Sequence, residues 1–198
     1  MTPTLQHILD RIFPSPLPAF AALEEKYPPR SLPAGAMVTR IAPSPTGFMH
    51  IGSLYAALIS QRLAHQSKGV FFIRIEDTDK KREVEGAEEL IFSVLSQYGI
   101  LADEGDVAPH KEVGPYGPYR QSDRANIYQA VVRHLLEQGK AYVCFASNEE
   151  LEAMRRVQEA QGARPGYYGT WATWREKTED EVLAALDAGQ QPVIRFKS

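Results

Sequence analysis

Arg40-Ile41-Ala42-Pro43-Ser44-Pro45-Thr46-Gly47-Phe48-Met49-His50-Ile51-Gly52-Ser53 is the stretch on which the reading of the fold turns. The apolar run Met37–Ala42 has the length of a short buried strand. Pro43 and Pro45 hold the exit from it extended, and Gly47 permits a tight reversal. A helical pattern then opens near Gly52 and runs to Gln66, with Leu54, Ala57 and Leu58 at packing spacing.

Downstream, Val70–Ile75 (VFFIRI) is β-branched and aromatic, as a strand requires. Glu85–Tyr98 follows as a helix, its stripe running through Ala87, Leu90, Ile91, Val94, Leu95 and Tyr98, and Gly99 ends it. Strand, helix, strand, helix at these lengths predicts βαβα with a parallel sheet. After a turn-rich stretch, Asp103–Tyr119, a helix is expected over Asp123–Gln138 and a strand over Ala141–Phe145. Ser147 with Glu150, and Thr178 with Glu181, have the spacing of capping boxes for two further helices. Val193–Phe196 reads as a last strand with no closing element after it, so a fold interrupted in its middle is expected. Upstream, Leu5, Ile8, Leu9 and Ile12 form one helical stripe over Thr4–Phe13, which Pro14, Pro16 and Pro18 stop.

The bulk properties exclude several classes. A chain of 198 residues, 43% hydrophobic and 24% charged, is globular material with enough apolar residues for a core. It contains no apolar run of membrane-spanning length and no signal-peptide pattern, and a membrane is not expected as a partner. One cysteine, Cys144, rules out an internal disulfide and fits a reducing compartment, so a cytoplasmic location is expected. The net charge of −3 does not announce a nucleic-acid binder, although a local basic face on an acidic chain remains compatible with one.

Two constellations carry candidate chemistry. Parallel βα units place ligands beyond the carboxyl ends of their strands. A helix N-terminus there offers free N–H groups to phosphate. His50 precedes that helix and can donate to phosphoryl oxygens, while Gly52 permits close approach of a nucleotide to the backbone. A proline-rich loop with a surface histidine explains the same residues about as well. The second constellation is Arg74-Ile75-Glu76-Asp77-Thr78-Asp79. Glu76 ends an apolar strand, where a carboxylate needs a partner such as a substrate ammonium. Asp77 and Asp79 read as loop and capping acids, since the spacing fits no metal motif. Arg40, Ser44, His50 and Glu76 are expected to converge on one pocket.

Together the two stretches resemble the class I glutamyl-tRNA synthetase family. The first resembles its "HIGH" element, and the second its Arg-Ile-Glu-Asp-Thr-Asp block. Gly117-Pro118-Tyr119-Arg120-Gln121-Ser122-Asp123-Arg124 and Val193-Ile194-Arg195-Phe196-Lys197 are similar to later family stretches in the same order. The resemblance implies an α/β architecture in three parts. Residues 1–36 would be an N-terminal extension, 37–102 the first half of a Rossmann-type nucleotidyl-transferase domain, and 103–198 the start of an inserted tRNA-acceptor-binding domain. It implies activation of L-glutamate with ATP and Mg²⁺ and transfer to the 3′ end of tRNA-Glu, by a monomer. On this resemblance Arg40 would pair with the glutamate side-chain carboxylate, Ala42 and Ser44 would line the glutamate site, and Glu76 would receive the α-ammonium. Pro43, Ser44, Pro45, Thr46, Gly47, His50, Gly52 and Ser53 would form the ATP side, with His50 and Gly52 catalytic.

The sequence also departs from the family. It has no Lys-Met-Ser-Lys-Ser-like loop, so the piece alone is expected to charge tRNA negligibly. Many relatives carry a zinc site in the inserted domain. Here Cys144-Phe145-Ala146 replaces the Cys-x-Cys and no histidine lies beyond His134, so no zinc is expected. Cys144 then reads as a small buried hydrophobe. The alternatives are the paralogue that glutamylates queuosine in tRNA-Asp, glutaminyl-tRNA synthetase, a non-catalytic paralogue that binds without activating, and a plain Rossmann-like nucleotide binder.

Overall fold

Strand pairing organises the computed structural model, which describes residues 2–197. In chain order its elements are helices α1 (Pro3–Ile12) and α2 (Phe20–Lys26), strand β1 (Val38–Ile41), α3 (Ile51–Gln66), β2 (Val70–Ile73) and α4 (Ala87–Gln97). Then come β3 (Glu104–Ala108), β4 (Lys111–Val113), α5 (Ala125–Glu137), β5 (Ala141–Cys144), α6 (Asn148–Ala160), α7 (Glu179–Asp187) and β6 (Val193–Phe196). The chain divides into two compact units, Ala21–Ile127 and Met1–Phe20 with Tyr128–Ser198.

In Ala21–Ile127 the sheet order is β1-β2-β3-β4. β1 pairs parallel with β2, from Val38↔Val70 to Ile41↔Ile73, and β2 pairs parallel with β3. β4 returns antiparallel to β3. Leu54, Ala57 and Ala64 of α3 and Ile91 and Leu95 of α4 bury against Phe71, Ile73, Ile75 and Ile100. Each fully buried aliphatic or aromatic side chain in such a core is worth about 1.5–3 kcal/mol. The βαβα pattern expected of the sequence is therefore present, and so is its parallel sheet.

Strands β3 and β4 were not expected. Glu104-Gly105-Asp106 is acidic and contains glycine, which gives it poor strand propensity. Pairing with β2 overrides that preference. Asp103 N–H donates to Phe71 O at 2.9 Å, and the Asp103 carboxylate accepts from Phe71 N–H at 2.8 Å. Gly105 is what lets the backbones meet: its φ is +102°, and a Cβ there would lie 2.0 Å from Ile73 O.

The packing units do not follow the division into 1–36, 37–102 and 103–198. Residues 103–127 pack with the parallel sheet because β3 and β4 extend it. The first 36 residues are split as well. Ile8 and Leu9 of α1 are buried in one cluster with Val182, Ala185 and Leu186 of α7. In the other unit, Arg30 makes two hydrogen bonds to Glu104, Tyr27 Oη–H donates to Gly117 O at 2.8 Å, and Arg30 lies 3.8 Å over the Tyr116 ring. Helix α2, between Pro18 and Pro28, is a further element the pattern did not predict.

In the unit of Met1–Phe20 and Tyr128–Ser198, β5 and β6 pair antiparallel, Ala141↔Phe196 through Cys144↔Val193. Both capping boxes form, Ser147 with Glu150 and Thr178 with Glu181. Cys144 is buried, its Sγ 3.4 Å from Tyr167 Oη. Gln158 is 0% exposed and satisfies both backbone groups of Gly166, at 2.7 and 2.9 Å.

Gly105→Ala is expected to lower stability by at least about 2 kcal/mol, from forced backbone geometry and overpacking together. Gly139→Ala, at φ +66° with open space around its Cβ position, is expected to cost only about 1 kcal/mol. Denaturant unfolding midpoints compare the two directly.

Candidate active site

The candidate site is built on a parallel ladder that outlasts its strands. Beyond Ile73 the side chains keep alternating: Ile75 and Asp77 stay buried while Arg74 and Glu76 are partly exposed. The backbone stays paired too. Arg74 N–H donates to Ile41 O at 3.1 Å, Glu76 N–H to Pro43 O at 2.9 Å, and Val84 N–H to Pro45 O at 2.9 Å. Prolines have a carbonyl to accept with but no N–H to donate, so Pro43 and Pro45 serve this one-sided pairing well.

Residues two apart on an extended chain share a face. Arg74 and Glu76 therefore meet, with Arg74 Nη2 donating to Glu76 Oε1 at 2.9 Å. Arg40, on the neighbouring strand, brings its Nη1 to 3.6 Å from the same oxygen. Two guanidiniums from adjacent strands thus face one carboxylate at the carboxyl end of the sheet.

The loop after β1 and the start of α3 enclose a cavity of about 490 Å³. Ala42, Pro43, Ser44, Thr46, Gly47, His50 and Ser53 line it. Arg40 and Glu76 pair with each other but are not among the residues that line this cavity. Pro45 is fully buried rather than lining the cavity.

His50 is the N-cap of α3, extended at φ −102° and ψ 166°, and its Nδ1 accepts from Ser53 N–H at 3.4 Å. Its imidazole is exposed to the cavity and its Nε2 lies 3.2 Å from Ser53 Oγ. The requirement for glycine at 52 is clearer than expected. A Cβ at Gly52 would sit 3.1 Å from the His50 ring, so glycine leaves that imidazole its position. The close approach open to a nucleotide was the only reason visible in the sequence.

Asp77 is a loop acid, as expected, and its carboxylate meets the start of the 3-10 turn Ser122–Arg124. It is buried and ties two segments together: Oδ1 accepts from Ser122 N–H at 3.0 Å, and Oδ2 accepts from Ser122 Oγ–H at 2.7 Å and Lys80 Nζ at 3.3 Å. Arg120 Nη1 is 3.5 Å from Oδ2, and Arg120 also pairs with Glu88. Burial pushes the Asp77 pKa up. The hydrogen bonds from Ser122 and Lys80 outweigh burial and hold it below the ordinary 3.8. Two more bonds fix the same segment, from Gln121 N–H to Ile75 O at 2.9 Å and from Ile75 N–H to the buried Asp106 carboxylate at 3.1 Å. The alternation Phe71, Ile73, Ile75, Asp77 was the available sequence signal, because it places Asp77 on the buried face.

Among the described residues no group of three or more His, Cys, Asp or Glu is placed to hold a metal ion. No helix among them is long and apolar enough to cross a membrane.

Parallel strand ends, a proline-held loop and a helix N-terminus around one cavity define a Rossmann-type α/β ligand site. The family model "tRNA synthetases class I (E and Q), catalytic domain" matches residues 36–198, and the chain belongs to that family. It is 52% identical over 192 residues to a glutamate–tRNA ligase of Acetivibrio thermocellus, covering 96% of this chain and 35% of that protein. A glutamate–tRNA ligase of Clostridium perfringens is 52% identical over 174 residues, covering 88% of this chain and 32% of that protein. Among solved structures, the glutamate tRNA ligase of Elizabethkingia meningosepticum in complex with its amino acid matches with a TM-score of 0.70. It shares 40% identity over 81% of this chain and 32% of its own. The chain thus spans about a third of the length of the relatives it matches.

Asp77→Ala is expected to destabilise the protein by roughly 1–3 kcal/mol, because it removes the buried acceptor of Ser122 N–H and Oγ–H and one of the two carboxylates that Arg120 faces. The folded pKa of Asp77 lies below the unfolded one. Its contribution is therefore present at neutral pH and is lost as pH falls below the ordinary carboxylate value. Chemical denaturation of wild type and variant between pH 7 and about pH 3 tests both points, with the difference expected to shrink toward the acid end.

Proposed function

We propose that this chain carries the glutamate and ATP subsites of a cytoplasmic, monomeric glutamate–tRNA ligase. The observation that carries the reading is the pairing of Arg40 and Arg74 with Glu76 at the carboxyl end of the sheet, where the chain that follows Arg40 runs on into the cavity lined by His50 and the start of α3. Glutamate bears two carboxylates and one ammonium, and this cluster offers a partner for each kind of charge. A planar guanidinium such as that of Arg40 binds a carboxylate through two parallel hydrogen bonds. Glu76 takes the ammonium, and Ala42 and Ser44 wall the amino-acid side.

The α-carboxylate of glutamate then attacks the α-phosphate of ATP, which brings Mg²⁺ with it. Pyrophosphate leaves, and glutamyl-adenylate remains for transfer to the terminal ribose of tRNA-Glu. The contribution of this chain is mainly positioning and stabilisation of phosphoryl charge. Backbone N–H groups at the start of α3 point toward the phosphates, and Pro43, Pro45, Thr46 and Gly47 shape the loop around the nucleotide. His50 donates to the phosphoryl oxygens, Ser53 lies beside it, and Gly52 keeps the space its ring needs. No zinc is assigned, since Cys144 has no partner ligands of the kind zinc requires.

Charging with labelled glutamate by the complete gene product, on purified tRNA-Glu, tRNA-Gln and tRNA-Asp in separate reactions, tests the reading. Label is expected on tRNA-Glu, with His50→Ala lowering kcat by about 10²-fold, the scale of one lost transition-state donor. Label on tRNA-Asp alone, or on no tRNA, is the result that rejects it.

A further inference from the structure

Glu76 has two basic partners, and they are not equivalent. Arg40 stands 3.6 Å away with its side chain 38% exposed, while Arg74 is hydrogen-bonded at 2.9 Å and is 20% exposed. Arg74 lies two residues before Glu76 on the same extended segment, whose backbone is fixed to Ile41 and Pro43 on one side. Asp106 and Gln121 fix its other side through Ile75. Arg40 belongs to a different strand. Among the described residues the Arg74 side chain makes no hydrogen bond other than that to Glu76, and its buried Nε is without a partner. A buried donor left unpaired is unfavourable, so this guanidinium adds little to folding beyond what it does for Glu76.

We infer that Arg74 is a positioning residue for the amino-acid subsite, holding the Glu76 carboxylate aimed when substrate draws Arg40 away. This rests on the functional reading above, in which a substrate carboxylate takes Arg40 and the ammonium takes Glu76. Binding replaces the Arg40–Glu76 contact by two substrate contacts. A carboxylate held by one mobile cation alone would swing when that cation turned to the substrate, and would then be a poor partner for ammonium. Arg74 prevents this, because it belongs to the same segment and its charge is permanent. The arrangement also sets the charge balance: two guanidiniums against one carboxylate leave one positive charge, which suits an amino acid with a net negative charge.

The test is steady-state charging kinetics of the complete gene product with Arg74→Gln and Arg74→Lys, each checked for an unchanged unfolding midpoint. Arg74→Gln is expected to raise the KM for glutamate about tenfold, the scale of one charge-assisted hydrogen bond, with much smaller changes in kcat and in the KM for ATP. Arg74→Lys, which keeps a cation near Glu76, is expected to recover part of the loss. A glutamate KM indifferent to Arg74→Gln, or glutamate and ATP KM values rising together, overturns the assignment. Failure of the unsubstituted protein to charge any tRNA rejects the functional reading itself, and this inference with it.

Discussion

Parallel pairing between the first two strands is the constraint on which the candidate site depends, because the pairing does not stop where the strands do. From Val38↔Val70 onward the same offset continues through Arg74 to Ile41 and Glu76 to Pro43. That continuation brings the loop after β1 and the acidic segment after β2 to one edge of the sheet. It also sets which side chains face the same way. Arg40, Arg74 and Glu76 meet as a consequence of register, and a slip of one residue would turn Arg74 and Glu76 into the core.

The acidic segment is held from its other side as well. Asp77 is bound by Ser122, Lys80 and Arg120, and Ile75 by Gln121 and Asp106. The Gly117–Arg124 stretch, conspicuous in the sequence as a motif, thus acts as a brace for the strand end that carries Glu76. Residues 27–30 grip that brace in turn. Arg30 and Tyr119 both bond Glu104, which holds the Glu104 carboxyl below its ordinary pKa despite burial, and burial together with the Glu104 contact pushes the Tyr119 hydroxyl up to about 12. Part of the N-terminal extension that the sequence set apart is therefore packed onto β3 and the brace.

Much of the architecture was legible because local signals agreed with one another. The βαβα pattern from Met37 to Tyr98, both capping boxes and the strand at Val193–Phe196 rest on periodicity and on residues within one turn of each other. β3 and β4 were not legible, since the cause of their pairing lies in β2 and in a glycine whose positive φ only the partner strand explains. The buried role of Gln158 was hidden for the same reason: its partners at Gly166 lie across a turn.

The sequence by itself determined the residue types, their order and the alternating strand and helix, because these follow from short-range periodicity, capping and the geometry of proline and glycine. It also marked Arg40, His50 and Glu76 as candidates through the motif in which they stand. The tertiary structure alone decided which of them touch. It put Glu76 beside two arginines, buried the loop acid Asp77 as a tie to the distant Ser122, and made Gly52 the neighbour of the His50 ring. It also divided the first 36 residues between two packing units. Each of these decisions depends on strand register or on contacts between segments far apart in the chain, which no local pattern encodes.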